Sequence, residues 1–285
     1  MWQVSVGHHG REALKGEFEG TSAIYSITPE FVPKPIAWGT YKSSPDTHFY
    51  LCEFYDLVEE LPDPGIFCAR LAELHRSHSS PNGKYGFHVV TYNGDLPQEN
   101  GYTDSWEEFF ANGLRHMFKL NLERGGPSEE LERLLPDMFG KVIPRLLRPL
   151  ETGGNSIKPS LVHGDLWCGN ASVDQKTDKP LIFDPSCFWA HNECTMISIF
   201  LHIFVPRLMA LQMSLGIGVR NAISFHAATS MLIIRTFRKP PQKKTMTIAM
   251  PFMLCRAAQR VLFRVNVLTV TGGSICTQRC SSPTC

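Results

Sequence analysis

The stretch HGDLWCGN at residues 163–170 constrains this chain more than any other. Two glycines and an asparagine within eight residues rule out a regular helix there and mark a tight loop. The apolar run before it, in PSLV (159–162), reads as a strand entering the loop. After it, NASVD and PLIFD read as two short strands joined by the polar turn QKTDK, the second ending on an acid. Asn170 and Asp184 are 14 positions apart, which suits a returning ribbon. Such a ribbon brings Asp184 back beside Asp165 and Asn170.

The rest of the chain supplies two kinds of surroundings. Residues 1–6 alternate like a strand, and Leu14, Phe18, Ala23 and Ile27 share one face of a helix over 11–27. VPKPIAWGTY (32–41) is Pro-punctuated and leads into a short strand, and HFYLCEFYDL (48–57) reads as a continuous buried strand. From residue 62 the period turns helical, with Phe67, Leu71 and Leu74 on one face up to 78. Residues 79–101 read as loop, since Pro, Asn and Gly recur too often for a helix. A strong helix is expected over 103–123, capped by Thr103 or Asp104 with Glu107 in capping-box position. Residues 127–151 read as helix broken by Pro136 and Pro144. The expected units are a small strand-rich unit (1–57), a helical unit carrying the polar hairpin (58–193), and a tail (194–285).

That tail differs in composition. All 27 Asp and Glu lie at or before Glu193, beside 17 Lys and Arg; the last 92 residues hold eleven Lys and Arg and no acid. The tail also has five of the nine Cys and no Trp. A basic partner-binding tail, a disulfide-linked secreted tail and a shifted reading frame or misjudged exon all give such a composition; the last is the reading adopted here. The tail lacks aromatic interleaving, so nucleic acid is not an expected partner. MISIFLHIFV (196–205) is too short to span a bilayer, and MWQVSVGHHG has no apolar core of a signal peptide. A reducing, cytoplasmic setting is expected, with no membrane partner. The sequence does not define an oligomeric state.

Phosphoryl transfer from ATP needs a carboxylate to accept a hydrogen bond from the acceptor hydroxyl, and oxygen ligands for Mg²⁺ between the phosphates. It also needs a cation to cradle those phosphates and a cleft that excludes water. Asp165 and Asn170, five positions apart on a tight loop, with Asp184 returned by the ribbon, meet the first two needs. Protein kinases use the same order, with an Arg where this chain has Gly164 and an Asp-Phe-Gly acid where it has Asp184-Pro185. Singly, Asp165, Asn170 and Asp184 would be ordinary turn formers. It is their spacing, with His163 and the apolar lead-ins, that argues for a site. Trp106 and Phe87 read as core, and Cys52, Cys68, Cys168 and Cys187 as buried thiols without metal spacing.

LVHGDLWCGN, IFDPSCFWAHNE, KYGFHVVTYNGDLPQEN and SWEEFF resemble the fructosamine kinase / ketosamine-3-kinase family, over about Val4 to Glu193. The resemblance implies an α+β, protein-kinase-like two-lobe fold close to the aminoglycoside phosphotransferases. It implies an ATP- and Mg²⁺-dependent kinase that phosphorylates the 3-hydroxyl of ribulosamines or fructosamines on glycated proteins, or of small ketosamines, and so promotes deglycation. Carried over by position, Asp165 would be the proton acceptor and Asn170 and Asp184 the metal ligands. Glu53, Phe54 and Tyr55 would form the hinge that meets adenine; their alternative is plain core strand. Glu17 would pair with a phosphate-binding Lys, where unaided it reads as one acid on a charged helix face. His191 and Glu193 match a GHxE segment beside the metal acid, although a structural hydrogen-bonding role suits His191 better.

Three departures bear on that reading. The family begins with two strands and a phosphate-covering loop, and this chain starts inside the next strand, which leaves the N-terminal lobe incomplete. The lysine position holds Gln3, and a neutral amide does not replace an ammonium against triphosphate. After Glu193 the family continues with acidic helices, where this chain has its acid-free tail. The competing readings are therefore an inactive kinase-like binding protein or faulty gene model, and a small-molecule kinase acting on an aminoglycoside, choline or a sugar.

Overall fold

The computed structural model describes residues 1–195, apart from residues 59, 78, 79 and 128; the tail whose composition stands out lies, from residue 196, outside the described residues. The chain begins with β1 (Trp2–Val6) and passes directly into α1 (Gly7–Ile27). The helix thus starts four residues before the expected one. Strands β2 (Pro35–Tyr41) and β3 (Ser44–Cys52) form a hairpin. The sheet order is β1-β3-β2, all antiparallel, with Gln3 opposite Tyr50. Strand β3 ends at Cys52, so the apolar run 48–57 is not one buried strand. Residues 53–56 form an irregular connector to β4 (Leu57–Val58). Phe54 is 68% exposed in it, because the sheet no longer covers that part of the chain.

Helix α2 (Pro64–Ser77) buries Phe67, Leu71 and Leu74, the face expected from periodicity. The loop after it carries the small hairpin β5 (Tyr92–Asn93) and β6 (Leu96–Pro97). Helix α3 (Trp106–Gly125) is capped by Ser105, whose hydroxyl accepts from Glu108 N at 3.1 Å. The cap is therefore neither Thr103, which donates to Ser105 O, nor Asp104, which pairs with Lys84. Ser105 and Glu108 have the same spacing as Asp104 and Glu107, one residue on. Glu151, 45 positions away, accepts from Trp106 N at 3.0 and 2.9 Å and so supplies an anion to the same helix end.

Helix α4 (Glu129–Asp137) carries Pro136 near its end, and a π-helical turn over Met138–Val142 follows it. Pro136 lacks the N–H that would bond back within α4, so that helix loses one rung of its ladder. Pro144 sits in the first turn of α5 (Ile143–Leu147), directly after the π-helical turn; Val142 before it is itself helical, so the helix runs on and the wider turn makes room for the proline ring. A 3₁₀ turn over Arg148–Leu150 closes this region.

The polar hairpin is built as the sequence suggests. Strand β7 (Ser160–Val162) enters the loop, a 3₁₀ turn spans Cys168–Asn170, and β8 (Ala171–Asp174) and β9 (Pro180–Ile182) form the ribbon. Strand β10 (Phe188–Ala190) then pairs antiparallel with β7, while β4 adds to the outer side of β8. Asp174 shapes the turn, with its carboxylate accepting from Thr177 N and Oγ1.

One buried cluster joins Ile24, Phe31 and Val32 to α2, α3, α5 and strands β7 to β10. A smaller one, Leu14, Tyr50 and Cys52 with Phe18, lies between α1 and the first sheet. Trp106 and Phe87 belong to the larger cluster, as expected. Cys52, Cys68 and Cys187 are buried, but Cys168 is only half-buried, because it lies in the short 3₁₀ turn of the loop rather than in the packed core.

Candidate active site

Pairing of β7 with β10 makes the site converge. Asp165 leaves the end of β7, and Asp184 lies between β9 and β10. The two carboxylates feel each other: Asp184 is raised above the usual carboxylate range, first by burial and then by the charge of Asp165. Asn170 lies between the loop and the ribbon. Its Nδ2 donates to Asp165 O at 2.8 Å and to Asp165 Oδ2 at 3.2 Å, and its backbone O accepts from Phe183 N at 3.2 Å. The amide nitrogen is thereby committed to Asp165, and Asn170 Oδ1 faces the other way.

His163 underlies both acids. It is fully buried, its Nε2 donates to Phe183 O at 3.0 Å, and its Nδ1 accepts from Asp165 N at 3.3 Å. Burial pushes this imidazole down to about 4, so at neutral pH it is uncharged and one tautomer serves both bonds. Gly164 has φ 81°, and a Cβ there would run into Ser186 O. Only glycine fits that close approach.

The third carboxylate comes from the first sheet and its helix. Glu17 on α1 is pushed up to about 8 by burial and then by Asp184, partly offset by a hydrogen bond from the Gln3 side chain. Glu17 is therefore not an acid on a solvated face. Gln3 on β1 occupies the place opposite Glu17 that the resemblance gives to a lysine. Cys52, at the end of β3, is raised first by burial and also by Glu17 and Asp184, which sets the start of the 53–56 connector beside the same cleft.

Other expected site residues have surroundings of their own. In the connector, Tyr55 OH donates to Glu53 Oε2 at 3.3 Å and Glu53 N donates to Lys34 O at 2.9 Å. His191 follows β10; its Nδ1 accepts from Glu193 N at 3.0 Å and its ring lies 6.2 Å from that of Trp106. Burial pushes His191 down to about 4 and Glu193 up to about 7. Among the described residues, the contacts found for these two run to each other and to the Trp106 and His75 region rather than to the acids. Sequence reasoning gave no role to Thr91 and Gln98 of the loop before α3, which bond to the segment after Asp184, or to Asn100, which bonds to Thr91. Their partners are 88–96 positions away for Thr91 and Gln98, beyond any local pattern.

The Asp184 carboxylate and the Asn170 amide oxygen are hard oxygen donors, the kind that suit Mg²⁺ when phosphate oxygens and water complete the shell. Asp184 is raised first by burial and then by the charge of Asp165, and a divalent cation would favour its charged form against both.

Comparison with known proteins gives the family and the fold. The sequence pattern of the family described as Fructosamine kinase matches residues 5–206. A protein-ribulosamine 3-kinase, chloroplastic, from Oryza sativa subsp. indica is 34% identical over 192 residues, covering 66% of this chain and 52% of the relative. The chain thus spans about half the length of that plant relative. In the solved structures, a putative fructosamine-3-kinase from Thermobifida fusca superposes with a TM-score of 0.56 at 21% identity, over 91% of this chain and 85% of that one. A thermostable mutant of an aminoglycoside phosphotransferase superposes with a TM-score of 0.53 at 10% identity, over 93% and 80%. The fold is accordingly the α+β, two-lobed fold of these kinases, and by its match over most of its length the chain belongs to the fructosamine kinase family.

Proposed function

We propose that this chain carries the catalytic core of a ketosamine 3-kinase, which moves the γ-phosphate of ATP to the 3-hydroxyl of a ribulosamine or fructosamine on a glycated protein. The single observation that carries the reading is the convergence of Asp165, Asn170 and Asp184 in a chain of this family. Asp165 accepts the hydrogen bond of the attacking hydroxyl and takes its proton as the phosphoryl bond forms. Asn170 keeps the Asp165 carboxylate oriented through Nδ2. Asn170 Oδ1 and the Asp184 carboxylate are the groups that would hold Mg²⁺. When bound, that ion offsets the negative charge of the phosphates. The backbone of Glu53, Phe54 and Tyr55 meets the adenine edge. His163 holds the loop to Phe183, and His191 and Glu193 support the wall behind β10. Phosphate on the 3-hydroxyl would make the sugar adduct labile and so deglycate the protein. The proposed setting is the cytoplasm, although the rice relative is described as chloroplastic; no helix among the described residues is long and apolar enough to cross a membrane.

Gln3 favours a second reading, a kinase-like protein that binds glycated protein without turning it over, because its amide brings no positive charge to the phosphates. The purified chain, incubated with Mg·ATP and a ribulosamine-lysine peptide, a fructosamine-lysine peptide or an aminoglycoside, separates the possibilities. Phosphate is expected on the ketosamine 3-hydroxyl, and Asp165→Asn should lower that rate by about 10²–10⁴-fold with unchanged thermal unfolding. Transfer to the aminoglycoside alone would overturn the substrate assignment. Peptide binding without phosphate transfer would establish the second reading.

A further inference from the structure

Asp184 has φ 54°, a left-handed conformation that a non-glycine residue keeps only where its surroundings enforce it. The two residues after Pro185 are bound on every side. Ser186 N donates to His163 O at 2.8 Å, and Ser186 Oγ donates to Tyr92 O. Ser186 O accepts from Gln98 Nε2 at 3.0 Å, and Cys187 O accepts from Thr91 Oγ1 at 3.3 Å. Asn100 sets the direction of the Thr91 hydroxyl: its Nδ2 donates to Thr91 Oγ1 at 2.7 Å and to Val89 O at 3.1 Å. With that lone pair occupied, the single proton of Thr91 goes to Cys187 O. Thr91, Asn100 and Cys187 are all buried, so water does not stand in for a missing partner.

We propose that Thr91, Gln98 and Asn100 form a brace that holds Asp184 in its left-handed conformation, turned toward Asp165 and Asn170. They are positioning residues for the metal-binding acid, and the brace rests on the reading of Asp184 as a metal ligand. Its anchor is the other side of the same loop. Val90 O and Thr91 Cα lie against Gly16 of α1, and Pro185 and Cys187 lie against Gly20 one turn on. Helix, loop and the segment after Asp184 are therefore packed against one another.

The test uses the full chain and Mn²⁺ alone as the probe, with free Mn²⁺ followed by electron paramagnetic resonance. Thr91→Val removes the hydroxyl at nearly constant volume, Thr91→Ser retains it, and Gln98→Met removes the amide from a half-buried position. Thr91→Val and Gln98→Met are expected to weaken Mn²⁺ binding by about 10–100-fold, the scale set by losing an outer partner of a metal ligand. Thr91→Ser should bind like the parent. Hydrogen exchange of the 184–190 peptide should accelerate in the two weakened variants, with the α3 peptide unchanged; that readout separates loss of positioning from loss of fold. Should Thr91→Val unfold, Gln98→Met carries the comparison. Parent-like Mn²⁺ affinity and slow exchange in Thr91→Val and Gln98→Met would overturn the brace while leaving Asp184 a ligand. If Asp184→Asn bound Mn²⁺ like the parent, the metal reading itself would fall, and the brace with it.

Discussion

A single neutral amide, Gln3, hydrogen-bonds Glu17 in the cleft. Opposite it, Glu17 is pushed up to about 8, because burial and Asp184 both disfavour its charge and the Gln3 hydrogen bond offsets only part of that. Unfolded, the same carboxyl releases its proton near 4.5. Between those values the folded chain binds more protons than the unfolded one, so raising the pH favours unfolding. This contribution is fully present below about pH 4.5 and is lost as the pH rises to about 8. Gln3→Lys should ionise Glu17 and flatten that slope, as measured by urea unfolding at pH 5 and pH 8. The same substitution should tighten Mg·ATP binding by about tenfold or more, the scale of a charge-assisted hydrogen bond, as read by calorimetry. An unchanged slope together with unchanged nucleotide affinity would show that residue 3 does not face Glu17 and the phosphates.

Elements differ in how openly the sequence announces them. Helix α2 and the ribbon β8–β9 follow from local periodicity and turn chemistry, and so does the convergence of Asp165, Asn170 and Asp184. The end of β3 does not, since the aromatic pair Phe54 and Tyr55 reads as buried strand whether or not a sheet covers it. The cap of α3 was misplaced by one or two residues, because two overlapping pairs share the capping-box spacing and only tertiary partners choose between them: Lys84 draws Asp104 away, and Glu151 fills the helix end. Glu17 reads as surface until Gln3 and Asp184 are placed beside it.

Two glycines in helices make a matched test at this scale. Gly113 in α3 has open space around its missing Cβ, so Gly113→Ala should stabilise by about 1 kcal/mol through helix propensity. Gly16 in α1 would set a Cβ 2.6 Å from Val90 O, a backbone atom that cannot turn aside. Overpacking of about 1–3 kcal/mol exceeds the propensity gain there, so Gly16→Ala should be net destabilising. Urea midpoints for the two variants should move in opposite directions.

Across the whole molecule, the two clusters divide the labour. The larger one carries α1's C-terminal end into the helical part of the protein, while the smaller one lets the first sheet ride on the rest of that helix. Charged and polar ties also join α1 and the segment after it to later parts of the chain: His88 with Glu19 at 3.1 Å, Lys179 with Glu30 at 2.7 Å, and Ile182 N to Phe31 O at 2.9 Å. None of these pairs is local, which is why the sequence displays the parts more readily than their docking. A nucleotide held between the parts should stabilise both. At about 100 times its dissociation constant, Mg·ATP should raise the melting temperature by roughly 5–10 °C. The rise should need the divalent ion and vanish in Asp184→Asn; an equal rise with ATP alone would separate nucleotide binding from the metal site.

The backbone at Gly164 has a consequence for control. Protein kinases place an arginine at this point of the loop, and that guanidinium lets a phosphorylated activation segment order the site. Here Ser186 O sits where the first carbon of any side chain would go. A backbone packed this closely leaves residue 164 no room for the guanidinium on which that switch depends.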